Sequence, residues 1–196
     1  MFATKDSEIR EAFHRKKLKR QHSDSQTLVI DELGLMHGSN RIDIAVVNGC
    51  IHGYEIKSSK DNLLRFNDQL DTYIKTLQKL TLVVAPNHVS EVLELAPDWV
   101  GIVLAQKGSK GAIHFSTVRK AKKNPNVDAL HVAHLLWKQE TQELLEKLGV
   151  PLRARRGTRA ELYKTLVSKV NLDDLVKNIK VMFETRANWR SDKQLV

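Results

Sequence analysis

Two strand-length apolar runs, one ending Ile42-Asp43-Ile44-Ala45-Val46-Val47 and the other running from Ile51 to Ser58, flank the dipeptide Asn48-Gly49. Asn-Gly between β-branched runs is a strong hairpin signal, because both residues tolerate the positive φ that a tight hairpin turn requires. The runs are not wholly apolar. Asp43 interrupts the first, and Glu55 and Lys57 the second. Buried charges are costly unless they are paired or bind a metal. A plain ion pair would account for Lys57 and one acid and leave the other acid unexplained. A divalent cation between two carboxylates, with a lysine beside them, accounts for all three.

Hairpin register sharpens this reading. Glu55 and Lys57 are two residues apart and so share a sheet face. A two-residue Asn48-Gly49 loop would pair Val47 with Cys50 and put Asp43 on the opposite face. A three-residue loop, Val47-Asn48-Gly49, would pair Val46 with Cys50. It would set Asp43 diagonal to Glu55 on one face, at about 7–8 Å, a span that a metal and its ligands can bridge. A shared metal therefore requires the longer, bulged loop, with Gly49 at positive φ.

Around the hairpin the hydrophobic period predicts a helix over 6–20, carrying Ile9, Ala12 and Phe13 and capped by Asp6 or Ser7, then a polar loop over 21–26. Strands follow over 27–33, 41–47 and 51–58. Asp61 is read as the cap of a long amphipathic helix with Leu63, Leu64, Phe66, Leu70, Tyr73, Ile74 and Leu77 on its apolar side. A buried strand over 81–85 ends at Pro86. A short helix over 88–95 and strands over 101–105 and 112–118 complete this part. From 127 onward the period is purely helical, with helices over 127–148, 160–169 and 172–187 after a basic linker at 120–126. The expected fold class is α/β, a mixed sheet flanked by helices with a C-terminal all-helical extension, divided into 1–120 and 121–196.

Charge is unevenly spread. Residues 1–118 hold 15 Lys/Arg against 14 Asp/Glu, whereas 119–196 hold 17 against 9, so almost all of the net +9 lies in the last third. Arg153, Arg155, Arg156 and Arg159 form its densest run. Such a block either attracts polyanions through counterion release or is simply a solvated face. No apolar stretch is long enough to span a membrane, and the first residues lack the apolar segment of a signal peptide. With Cys50 as the sole cysteine, no internal disulfide forms, and a cytoplasmic setting is expected.

Asp43 followed twelve positions later by Glu55-Ile56-Lys57, after one helix and one strand, resembles the core of the PD-(D/E)XK (restriction-endonuclease-like) nucleases. Gln69 and Tyr73, four apart on the following helix, resemble the Q-x-x-x-Y motif of the RecB-like branch. The nuclease resemblance covers about residues 6–118. The stretch from Asp31 to Ser58 is also similar to a small, largely uncharacterised bacterial family within that superfamily. Ile42 stands where the motif has proline.

The resemblance implies hydrolysis of phosphodiester bonds, in DNA rather than RNA, with Mg²⁺ or Mn²⁺. Asp43 and Glu55 would ligate the metal, with the Ile56 carbonyl a further ligand and Lys57 orienting or deprotonating its water. Glu32 is the first choice for a third acid, then Glu8 and Glu11. Arg41 could contact phosphate, and the arginine run could hold nucleic acid. The alternative is a nuclease-like fold that binds nucleic acid or a partner without cutting. The C-terminal helices could also serve as an interaction bundle, and a double-strand cutter would act as a homodimer. His52 is expected to be structural, Trp99 and Trp137 to be packing residues, and His131 and His134 to lack a partner set. Trp189, near Arg186 and Arg190, could stack on a base.

Overall fold

The computed structural model describes residues 2–186. One six-stranded mixed sheet runs in chain order through β1 (Leu28–Leu35), β2 (Asn40–Val47), β3 (Ile51–Lys57), β4 (Lys79–Val84), β5 (Gly101–Lys107) and β6 (Ile113–Arg119). The first three strands and the last two pair antiparallel, and β3, β4 and β5 pair in parallel. Parallel neighbours need crossover connections. These carry α3 (Phe66–Thr76) and α4 (Val89–Leu95). β4 lies centrally and is buried along nearly its whole length, as its unbroken apolar sequence predicts. The chain is thus α/β, a mixed sheet flanked by helices.

Alternating strand residues separate two apolar clusters. On one face, Val29, Ile44, Val46 and Ile56 pack against Ile9, Ala12 and Phe13 of α1 (Asp6–Lys17). On the other, Ile30, Ala45, Val47 and Ile51 join Phe66, Leu70 and Tyr73 of α3. Residues of α5 (Ala129–Ala133), α6 (Lys138–Lys147), α7 (Arg159–Val167) and α8 (Leu172–Thr185) belong to that same second cluster. Gly53 permits the close approach of α3: a Cβ there would lie 2.5 Å from a Leu77 methyl and 3.0 Å from Ile42.

Several expectations need correction. The first helix ends at Lys17, and α2 (Lys19–Ser23) occupies part of the expected loop. Neither Asp6 nor Ser7 caps α1; the Glu8 carboxylate instead accepts the Lys5 N–H at 2.9 Å. Asp61 does not open α3. It accepts the Ser58 N–H at 2.7 Å, and Asn62 accepts the Leu64 N–H, local bonds that compete with helix. Helix therefore begins only at Phe66, and Leu64, placed on the apolar side by its spacing, is 88% exposed.

The expected helix over 127–148 is two. Asp128 caps α5 through the Leu130 N–H, and α6 restarts where Glu140 accepts the Trp137 N–H. Between them Tyr163 donates to the Leu136 carbonyl, 2.6 Å away. Thr158 and Asn171 cap α7 and α8 as their side chains lead one to expect. Among the described residues no helix is long and apolar enough to cross a membrane.

Candidate active site

The β2–β3 hairpin does have a three-residue loop, but it is Asn48-Gly49-Cys50, one position later than expected, with Val47 paired to Ile51 and Gly49 at φ +93°. Paired positions end at Ile44 and Tyr54. Continuing the register puts Asp43 directly across from Glu55 instead of diagonal to it. The ladder stops there because the Asp43 side chain takes the next donor, accepting the Ile56 N–H at 2.6 Å.

Face alternation breaks at the same place. Ile42 and Ile44, two apart, pack in opposite clusters, and so do Leu33, the partner of Ile42, and Val29, the partner of Val46. Between Leu33 and Asp31, Glu32 stands in the left-handed region at φ +56°. For a non-glycine residue this costs on the order of 1–3 kcal/mol and re-aims the side chain. The register of β1 and β2 sets Glu32 opposite Asp43. Three acids, Glu32, Asp43 and Glu55, thus occupy one transverse row across three strands.

Each carboxylate has definite partners. Glu55 receives Lys57 Nζ at 2.9 Å and the Tyr73 hydroxyl at 2.8 Å. The Tyr73 oxygen is also 2.8 Å from the Arg41 carbonyl. Lys57 Nζ donates to Gln69 Oε1 at 3.0 Å. Gln69 and Tyr73 therefore look into the site together from one face of α3, one holding the lysine and the other the glutamate. On the α1 side, Arg10 donates to Asp43 Oδ1 at 2.9 Å and to the Asp43 carbonyl at 2.8 Å, and reaches Glu32 at 2.7 Å and Asp6 at 3.2 Å. Burial, reinforced by the charge on Glu55, pushes the Asp43 carboxyl up to about 7. Burial pushes Glu55 up as well, against the opposing pull of Lys57. Two neighbouring carboxyls raised by burial, Asp43 by the charge on Glu55 as well, are groups a cation would stabilise in the charged form.

Comparison with known proteins places the whole chain. The family model described as bacteriophage P4 protein cII matches residues 4–195. The chain belongs to the bacteriophage P4 protein cII family. Protein cII of Enterobacteria phage P4 is 27% identical over 168 residues, which cover 84% of this chain and 62% of that protein. The chain thus spans less than two thirds of the length of that relative. A solved structure, a protein of unknown function from Silicibacter pomeroyi, aligns over 96% of this chain and 99% of its own at 14% identity, with a TM-score of 0.45.

The remaining candidates of this cII-family chain are scattered. Glu8 accepts from Lys107 at 2.6 Å and is held below its ordinary range by that bond. Glu11 faces solvent and lies 3.8 Å from Arg15. Neither reaches the carboxylate row. Arg41 lies at its rim, 3.3 Å from Glu32. Arg153, Arg156 and Arg159 are exposed, but Arg155 is half-buried in an ion pair with Glu146. Trp99 is buried, whereas Trp137 is exposed with the Arg186 guanidinium 4.3 Å above its ring, so packing describes only the first. Trp189 and Arg190 lie outside the described residues.

His52 is structural, bonded to Thr81 at 2.9 Å and stacked on Tyr54. His131 and His134 do have partners: Asp128 for the first, and Met36 and His37 for the second. Sequence reasoning missed Arg10. Its only signal is the i,i+4 spacing from Asp6, which reads as an ordinary surface pair.

Proposed function

We propose that this protein is a metal-dependent nuclease on a restriction-endonuclease-like fold, acting on DNA. The observation that carries the reading is the pair Asp43 and Glu55, facing one another at the end of a ladder, both raised by burial, with Lys57 2.9 Å from Glu55. Charges so placed contribute little to folding and require a chemical reason.

Asp43 and Glu55 fit a hard divalent cation, Mg²⁺ or Mn²⁺, with the Ile56 carbonyl and Glu32 as further oxygen donors. When bound, such an ion supplies an acidified water and charge neutralisation at the phosphate. The chain's own residues do the positioning. Tyr73 fixes one Glu55 oxygen, Lys57 fixes the other, and Gln69 fixes Lys57, whose third N–H is left to hold or deliver a proton at the reacting oxygen. Arg10 holds Asp43 and Glu32 in the row. The exposed Arg153, Arg156 and Arg159 would hold backbone phosphates.

A second reading, a module that binds nucleic acid without cutting, has one observation in its favour. Arg10 already pairs with Asp43 and Glu32, and among the described residues no three His, Cys, Asp or Glu side chains converge as a metal-holding group. Cleavage of labelled single- and double-stranded DNA by wild type and Glu55→Ala, in Mg²⁺, Mn²⁺ or EDTA, separates the two. The nuclease reading expects metal-dependent products that disappear in the variant. Intact DNA under every condition, with folded protein, supports the binding module.

A further inference from the structure

The turn joining the strands that carry Glu32 and Asp43 is built unlike an ordinary hairpin. Met36, His37 and Gly38 have φ of +47°, +58° and +89° in succession, two of them non-glycine residues, for which the left-handed region is uncommon. What this backbone achieves is the placement of one ring. His37 is exposed, yet one side of its ring rests on two neighbours: His134, with centroids 4.9 Å apart and planes at 27°, and Tyr163, at 5.8 Å and 17°, which are themselves 4.9 Å apart. The base of the stack is rigid. Tyr163 is buried and donates to the Leu136 carbonyl, and His134 Nδ1 lies 3.0 Å from the Met36 sulfur.

The surroundings are cationic. Arg159, the first residue of α7, acts on His37, His134 and Tyr163 alike, and the exposed Arg153 and Arg156 lie in the segment before it. Burial, with Arg159, pushes His37 below its ordinary range, and burial, with His37, does the same to His134, so both rings present neutral π faces near neutral pH. The turn is anchored towards the carboxylate row: Asn40 bonds to Thr72 on α3, and the Arg41 carbonyl meets the Tyr73 hydroxyl. From Asn40 to Asp43 is about 10 Å of strand.

We propose that His37, backed by His134 and Tyr163, is a stacking platform for an unpaired base, and that the substrate of this site is single-stranded nucleic acid or a frayed end. The proposal rests on the nuclease reading for its placement. A flat ring, cations beside it for the backbone, and a short path to the reacting groups are the elements that bind single strands without sequence readout. Paired bases offer no free face to such a ring, so duplex gains nothing from it.

The test is binding of a single-stranded oligonucleotide carrying 2-aminopurine, and of its duplex form, in EDTA so that nothing is cut. His37→Ala is expected to weaken single-strand binding about 5- to 150-fold, the range of one base–aromatic contact. His37→Phe should retain the affinity and the quenching of 2-aminopurine, and duplex affinity should be the same in all three proteins. Thermal melts check that each variant folds. Unchanged single-strand affinity in His37→Ala overturns the proposal, as does an equal loss in His37→Phe. Because the readout needs no cleavage, quenching in a protein that never cuts removes only the nuclease reading. Cutting with His37 shown irrelevant removes only the platform.

Discussion

At the β2–β3 end of the sheet the side chains of Asp43, Glu55 and Lys57 are 19%, 4% and 11% exposed and each is held by directed bonds. Between α6 and the first turn of α7, Arg153, Arg156 and Arg159 carry as many charges in the open. The first arrangement has lost its water and depends on partners; the second has kept its water and depends on none. Burial makes a charge chemically distinctive and mechanically expensive, whereas exposure makes it available to a large polyanion at almost no cost to folding. Under the nuclease proposal the two tasks are separate, reaction chemistry in the sheet and electrostatic attraction on the helices.

The strongest way to break this contrast is Lys57→Met. It leaves Glu55 buried beside Asp43 without its cation, and a loss of about 3–5 kcal/mol in urea unfolding is expected. A cost near zero would show that solvent already serves these acids. The next is pH. Burial lowers His52 to about 4 from an ordinary 6.5. Its unfolded state therefore takes the proton first, and stability is complete above about 6.5 and lost as pH falls towards 4. The contribution is up to about 3 kcal/mol, and His52→Gln should flatten that part of a pH series of melts.

Tyr73→Phe removes one bond to a buried carboxylate and should cost roughly 1.5–3 kcal/mol, measured the same way. The smallest effect belongs to the exposed side. Arg153→Ala with Arg156→Ala should change stability by less than about 0.5 kcal/mol. It should also reduce the slope of log affinity against log salt by about 2 for nucleic acid. An unchanged slope would leave the helices with a solvating role alone.

The hairpin and β4 were legible because β-branched runs, Asn48-Gly49 and Pro86 act locally. The site's membership was legible for the same reason: Asp43, Glu55 and Lys57 are conspicuous in apolar strands, and Gln69 and Tyr73 share a helix face by spacing. The register was one residue out because Cys50, apolar enough for a strand, sits in the loop. Other features depend on tertiary context. Nothing in the sequence around Glu32 announces a positive φ, since no glycine marks it. Arg10 earns its place only when α1 lies across β2, which no local period encodes. Asp61 looks like a helix cap, and what it caps is the turn after β3. The split between α5 and α6 likewise depends on Tyr163, 27 residues beyond the carbonyl it binds.

The central claim is that Asp43 and Glu55 are held together for a cation, with Arg10 as their neighbour and not their purpose. Calorimetric titration of Mn²⁺ into wild type and Asp43→Asn tests it most directly, with thermal melts in Mn²⁺ and EDTA beside it. One site in the wild type, lost or greatly weakened in Asp43→Asn and accompanied by a higher melting temperature in Mn²⁺, is the expected result. No binding to folded wild type, or equal binding to the variant, would contradict the account and leave the carboxylate row to Arg10.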